Sequence, residues 1–316
     1  MVAIITDCVI EDDRRRSGLF QGDVFVHRPL APAIELCGIA KEYVEKGFHP
    51  HDAQRAQYEL PVERYAEILA EIKPRFIHDS RCKRLIAEIV KAVGGDVERT
   101  YFDVPRLRSS TSDNYLTTGI AYAFHPHRDT WYSAPPCQIN WWLPVYPIDS
   151  GSGMAIHPQY FSDAVENTSE RYDYYRWNKE SRANAAAHIK TDTREQPKAV
   201  KEMRLDPDLR IVTAPGGIFQ FSAGHLHSSL PNQTGKTRFS IDFRTVHIDD
   251  VAAKRGAPNI DSRCTGTTLR DFLRCSDLSP LPEELISAYD DRPPPADAVL
   301  TFEHRRMGRA PSPEGD

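Results

Sequence analysis

No apolar run in this sequence approaches the ~18 residues that a membrane-crossing helix needs, so no membrane partner is expected. There is no basic stripe of the kind that binds nucleic acid either. Acidic and basic residues are mixed throughout, with a net charge of −5. The one short basic run, Arg14-Arg15-Arg16, directly follows Glu11-Asp12-Asp13 and reads as charge-balanced and solvated. The six cysteines (Cys8, Cys37, Cys82, Cys137, Cys264 and Cys275) include no CxxC pair, which argues against a zinc ribbon or a redox dithiol. Scattered thiols fit a reducing, cytoplasmic setting. Residues 1–7 lack a basic region followed by a long apolar stretch, so no secretory signal is expected. No internal repeat is visible. What is present, 316 residues with 40% hydrophobic content, suffices for one large domain with helical additions.

Against that background one stretch stands out: Phe124-His125-Pro126-His127-Arg128-Asp129-Thr130-Trp131. In an extended strand, side chains two apart share a face, so His127 and Asp129 can reach one metal from the same side. A His-x-Asp pair alone is common by chance, and a His-rich surface loop would explain it. A second stretch changes the balance: Gly224-His225-Leu226-His227-Ser228-Ser229-Leu230-Pro231-Asn232, then Arg238-Phe239-Ser240. One histidine from it would complete two imidazoles and a carboxylate, a facial triad whose open positions suit non-haem Fe(II). Eleven residues separate His227 from Arg238, room for a strand, a tight turn at Gln233-Thr234-Gly235-Lys236 and a return strand. Arg238 would then lie beside the metal, with Phe239, Ile241 and Phe243 on the strand's other face. A buried guanidinium needs an anion, and its fork matches a carboxylate. Asp242 is the internal candidate; a chelating keto acid on the metal is the external one.

The chain resembles the Fe(II)/2-oxoglutarate-dependent dioxygenases, in the branch of the phytanoyl-CoA and ectoine hydroxylases. The likeness is carried by His127-x-Asp129, by Gly151-Ser152-Gly153-Met154-Ala155-Ile156-His157-Pro158, by Pro215-Gly216-Gly217-Ile218-Phe219-Gln220-Phe221, and by His227-x-Ser229-x-x-Asn232 leading to Arg238-x-Ser240. It covers residues 98–248. Two features depart from the family pattern. The usual Pro-Gly-Ser-His reads Pro158-Gln159-Tyr160-Phe161 here, and each His motif is doubled (His125/His127 and His225/His227).

The resemblance implies a mainly β protein with flanking helices, its core a double-stranded β-helix (jelly roll, cupin-like). It implies Fe(II) held by His127, Asp129 and His227, and 2-oxoglutarate paired to Arg238. Ser240 and Ser229 would hydrogen-bond that cosubstrate, and Asn140 or Trp142 would touch it or the substrate. His125 and His225 would be structural neighbours of the ligands. With molecular oxygen, the centre would hydroxylate a small molecule and release succinate and CO2; a carboxylate at Asp129 argues against halogenation. Desaturation, epoxidation and ring closure remain open at the same centre, as does a homodimer. Two other classes stay in view: a cupin-like metal enzyme that does not use 2-oxoglutarate, and a non-catalytic small-molecule-binding barrel.

Along the chain, one domain overall is expected: an arm and supporting helices over 1–97, the core over 98–250 with a polar insert at about 159–208, and a helical, flexible extension over 251–316. The arm, 1–31, reads as irregular with one strand at 23–27. Helices are expected from Pro32 to Gly47, from Pro61 to just before Pro74, and from Asp79 as N-cap to Gly94-Gly95. They should brace the sheet and carry no chemistry. Strands are expected at 100–104, at 119–124 and at 137–145, where Asn140 and Trp142 share a face opposite Ile139, Trp141 and Leu143. Arg106 and Arg108 share a face and read as a solvated edge; the alternative is that one faces the site mouth and pairs an acidic substrate. The insert reads as a lid or substrate-facing segment. Helices at 268–273 and 283–289 close the chain.

Overall fold

A computed structural model describes residues 2–8, 10–117, 125–181, 194–295 and 298–300. Its strands, in chain order, are β1 (Ile4–Thr6), β2 (Val24–His27), β3 (Thr100–Phe102), β4 (Arg106–Ser110), β5 (Ile139–Pro144), β6 (Met154–Ile156), β7 (Leu209–Arg210), β8 (Ile218–Ser222), β9 (His227–Ser229), β10 (Arg238–His247) and β11 (Leu273–Arg274). They form a large sheet in the order β1-β2-β8-β5-β10-β3-β11, with β4 also paired to β10, and a smaller sheet β7-β6-β9. The architecture is mixed α/β, with a cavity between the two sheets lined from both. The strand expected over 119–124 lies outside the described residues.

β10 organises the large sheet because its sequence alternates. Phe239, Ile241 and Phe243 are fully buried on one face, while Arg238, Ser240, Asp242 and Arg244 line the cavity from the other. β5 runs antiparallel to it, from Ser240↔Pro144 to Thr245↔Ile139. Trp141 stacks on Phe243 at 5.2 Å between centroids and donates its indole N–H to Thr245 Oγ1 at 2.8 Å. The helices α1 (Asp12–Phe20), α2 (Ala31–Phe48), α3 (Val62–His78) and α4 (Ser80–Ala92) precede the core. α2 and α3 pack on the apolar face of the large sheet, Phe48 meeting Phe239 at 6.1 Å. Each such fully buried large side chain contributes about 1.5–3 kcal/mol. α4 starts as expected at Asp79, whose carboxylate accepts the Arg81 N–H at 2.9 Å.

Four expectations are corrected. The arm is not irregular: it holds β1, α1 and β2, and β2 pairs with β8 inside the large sheet. Of the basic run, only Arg14 is solvated. Arg15 and Arg16 are only 3% and 6% exposed, and Arg16 pairs with Asp12 and with buried Asp250. α3 does not stop before Pro74 but runs through it to His78. A helix-interior proline costs roughly 3 kcal/mol; the full burial of Phe76, two residues on, works against that cost. Finally, the chain from His227 to Arg238 does not return as a hairpin. β9 pairs with β6 and β10 with β5, β4 and β3, so the turn at 233–236 carries the chain from one sheet to the other.

Near the end, residues 268–271 form one 3-10 turn and 273–274 join the sheet as β11, shorter than the helix expected there. Glu283–Ser287 is helical.

Candidate metal centre

His127 and His227 face each other as a doubly hydrogen-bonded pair, His127 N–H to His227 O at 3.0 Å and the reverse at 2.9 Å. Residues directly opposite in such a pair bring their side chains together, and the two imidazole centroids are 4.3 Å apart. Arg128 continues in extended geometry (φ −108°, ψ 144°), so its side chain turns away and pairs with Asp261 at 3.0 Å. Asp129 therefore returns to the His127 side, as the alternation predicts. The motif is not a continuous strand, however: Asp129 opens a 3-10 turn, Asp129–Tyr132.

Ligating atoms of His127, Asp129 and His227 all lie within 4.8 Å of one another, and all three residues are buried. His127 Nδ1 is 2.8 Å from the carbonyl of His125, and His227 Nδ1 is 3.0 Å from that of His225. A carbonyl can only accept, so each Nδ1 carries the proton and each Nε2 is left for a metal. The two Nε2 atoms sit 3.6 and 3.7 Å from Asp129 Oδ1. The doubled histidines thus have a role in the main chain: each supplies the carbonyl that orients the ligand two residues on.

The other oxygen, Asp129 Oδ2, accepts from Gln138 Nε2 at 3.1 Å and lies 3.7 Å from Arg244 Nε. Burial disfavours the Asp129 charge, but the neighbouring His127 and the positive charge of Arg244 outweigh it, and the carboxyl is held well below its usual range. Burial, aided by His127, pushes His227 down to about 3. Neutral imidazole beside ionised carboxylate is the protonation state a divalent metal requires.

His225 has its own engagements. Its Nδ1 accepts the Ser222 N–H at 3.2 Å and its Nε2 donates to Gly22 O at 3.0 Å. His125 Nε2 donates to Pro197 O at 2.6 Å. Neither belongs to the ligand cluster.

Arg238 points into the cavity, 7% exposed, with its guanidinium 5.6 Å from the Trp142 ring. Its one hydrogen bond among the described residues is a long one, to Gly153 O at 3.4 Å, and its Nε has no partner. Asp242 is not its ion pair: that carboxylate binds Arg108 at 2.8 Å and Arg244 at 3.4 Å. Burial pushes Arg238 down to about 10. Ser240 Oγ, beside it on β10, is also buried without a partner. Ser229 and Asn140 line the same cavity, and Asn140 Oδ1 accepts from Gln138 Nε2 at 2.9 Å.

The cavity is about 520 Å³. Arg106 and Arg108 line it, which overturns the solvated-edge expectation; Arg106 pairs with Asp103 at 2.6 Å. Tyr172, Tyr174, Trp177, Arg194 and Gln196 of the polar insert also line it. Among the lining residues, Gln138, Asp103 and Lys73 were not singled out from sequence as part of the site, and Arg244 entered only as the alternative to Arg238. Gln138 and Arg244 follow the alternation of β5 and β10 and could have been found by extending it. Asp103 and Lys73 gave no such signal, since Lys73 lies on a helix read as a brace.

No family model matches the chain, and no curated protein matches it. Among solved structures it is similar to the non-heme monooxygenase ThoJ, at 13% identity and a TM-score of 0.40 over 69% of this chain and 70% of that one. EvdO2 from Micromonospora carbonacea var. aurantiaca gives 16% and 0.40 over 76% and 93%. The epimerase SnoN, solved with Fe3+, alpha ketoglutarate and nogalamycin RO, gives 12% and 0.39 over 85% and 95%. At these scores what those proteins bind and do stays with them, and the chain's own side chains carry the functional argument.

Proposed function

We propose that this chain is a non-haem Fe(II)- and 2-oxoglutarate-dependent oxygenase on a jelly-roll core, of the phytanoyl-CoA and ectoine hydroxylase-like kind, that hydroxylates an unactivated C–H bond of a small molecule. The observation that carries the reading is a pairing within one cavity: the His127–Asp129–His227 donor set, and a buried Arg238 without a carboxylate partner among the described residues. The donor set has the composition of the facial triad suited to Fe(II). A buried, uncompensated guanidinium is costly, and a dicarboxylate bound by its far end to Arg238 and Ser240 would satisfy both orphaned groups.

His127, Asp129 and His227 would hold the iron, and Arg238 with Ser240 would hold the cosubstrate's distal carboxylate. When bound, the iron and keto acid couple oxidative decarboxylation, which yields succinate and CO2, to oxidation of a C–H bond. The chain's own contribution is placement. The carbonyls of His125 and His225 fix the imidazole tautomers, while Gln138 and Arg244 hold Asp129. The aromatic side chains of Tyr132, Tyr172 and Trp177 line the cavity and reduce the room left for water. A carboxylate at position 129 leaves no ligand position for a halide, which favours hydroxylation.

The test is an anaerobic titration of the full chain with Fe(II), then 2-oxoglutarate, watching for the weak visible charge-transfer band of the chelate. The band should grow to one equivalent, and oxygen should then give succinate. Iron binding with no band and no succinate would remove 2-oxoglutarate from the reading and leave a cupin-like metal enzyme.

A further inference from the structure

We propose that Arg128 is a positioning residue of the metal centre, with Asp261 as its anchor. From the side away from the metal it locks the segment that carries His227, and the start of the insert, to the segment that carries His127 and Asp129. The inference rests on the metal-binding part of the reading above and not on 2-oxoglutarate.

What Arg128 grips is the first observation. Its extended backbone sends the side chain to the face opposite the two ligands that flank it, where it is 1% exposed. There Nη1 donates to Gly224 O at 2.5 Å and to Phe161 O at 3.3 Å, and Nη2 donates to Tyr160 O and, at 2.7 Å, to Asp163 O. Gly224 lies just ahead of His225 and His227, so the guanidinium holds the approach to the third ligand from behind. Main-chain bonds hold the same segment at the ligands themselves: the His127–His227 pair, and the Asp129 N–H bonded to Ala223 O at 3.1 Å. Phe161 extends the grip. Its ring lies 4.6 Å from that of His225, the residue whose carbonyl orients the His227 imidazole. Tyr160, Phe161 and Asp163 also open the insert whose Tyr172 and Trp177 line the cavity.

The anchor is the second observation. Arg128 Nε faces Asp261 Oδ2 at 3.0 Å, and the Asp261 side chain is 3% exposed. Asp261 is itself held in place: Oδ1 accepts the Trp131 indole N–H at 2.8 Å, Oδ2 accepts the Val165 N–H at 3.0 Å, and its main-chain carbonyl accepts from Asn167 Nδ2 at 2.8 Å. Burying an ion pair carries a desolvation cost, and packed apolar side chains of the same volume are often as stable or more so. An apolar side chain at position 128 would fill the space. It could not hold carbonyls of two chain segments at one spacing, which the rigid fork of an arginine does. Metal ligands need that precision, about 0.5 Å in position.

The experiment titrates the full chain with Co(II), without 2-oxoglutarate, reading affinity by competition and ligand geometry by the visible ligand-field band. Arg128→Lys keeps the charge and loses the fork. It should weaken Co(II) roughly tenfold or more and change the position and intensity of the band, while the circular dichroism spectrum stays native. Asp261→Asn, nearly isosteric, should change the band in the same way with a smaller loss of affinity. Arg16→Lys is the control: its buried pair with Asp250 lies outside the cavity lining, so it should lower Tm and leave both readouts at wild type. The proposal is overturned if either folded variant keeps the wild-type affinity and band, whatever its Tm. It is also overturned if neither variant folds, because the pair would then serve the fold as a whole; if one folds, its readouts decide. A wild-type chain that does not bind Co(II) would remove the metal reading and this proposal with it. Wild-type binding with unaltered variants would remove this proposal alone.

Discussion

Gln138 Nε2 donates to Asp129 Oδ2 at 3.1 Å while Asp129 Oδ1 faces both ligand imidazoles. The carboxylate is thereby divided, one oxygen toward the two imidazoles and one held by Gln138. Partners of this kind fix ligand orientation, and losing one typically costs roughly 10–100-fold in metal affinity. Gln138→Leu should weaken Fe(II) or Co(II) by that factor in a competition titration, with little change in Tm. Unchanged affinity would mean that Arg244 alone orients Asp129.

His127→Ala, Asp129→Ala and His227→Ala should each abolish Fe(II)-dependent turnover and tight metal binding while the circular dichroism spectrum stays native. His225→Ala should do the reverse. Its ring bonds to the backbone at Gly22 and Ser222, so its loss should destabilise by about 1–3 kcal/mol and leave metal affinity near wild type. Loss of metal in His225→Ala with retention in His227→Ala would exchange their roles.

Arg238→Lys keeps a charge but loses the fork. The 2-oxoglutarate apparent affinity should fall by roughly one to two orders of magnitude, about 1.5–3 kcal/mol for a charged hydrogen bond, with Fe(II) affinity unchanged. The measurement is succinate formation against 2-oxoglutarate concentration. Insensitivity to Arg238→Lys and Arg238→Ala alike would remove Arg238 from the cosubstrate site. Arg244 would then be the next base to test, although Asp103, Asp129 and Asp242 already surround it.

Lys73 gives a pH dependence with a definite sign. Burial lowers its folded-state pKa to about 7, against about 10.4 in an unfolded chain. Between those values the unfolded chain holds the extra proton, so this group makes stability rise with pH and disfavours folding most at and below pH 7. The Tm of Lys73→Met minus that of wild type should therefore be largest near pH 7 and shrink as pH rises toward 10. Paired calorimetric scans of the unliganded proteins across that range test it; a constant difference would place Lys73 in water.

The alternation of 238–247 determined which residues face the core and which face the cavity, because strand side chains alternate whatever the fold around them. The same local geometry made His127 and Asp129 neighbours across an extended Arg128, and Asp79 a helix cap. What local pattern could not decide was partnership. Asp242 sits four residues from Arg238, yet the pairing of β4 with β10, Ser240 opposite Arg108, brings Arg108 diagonally onto that carboxylate and leaves Arg238 without it. Register of this kind depends on contacts between strands far apart in sequence. Arg16 is buried because Asp250, 234 residues away, meets it. Lys73 lines the cavity because α3 packs beside β4, and Gln138 meets Asp129 across the 3-10 turn. The identity of the donor set was local information; which of the charges around it find partners among the described residues was settled by how the sheets and helices pack.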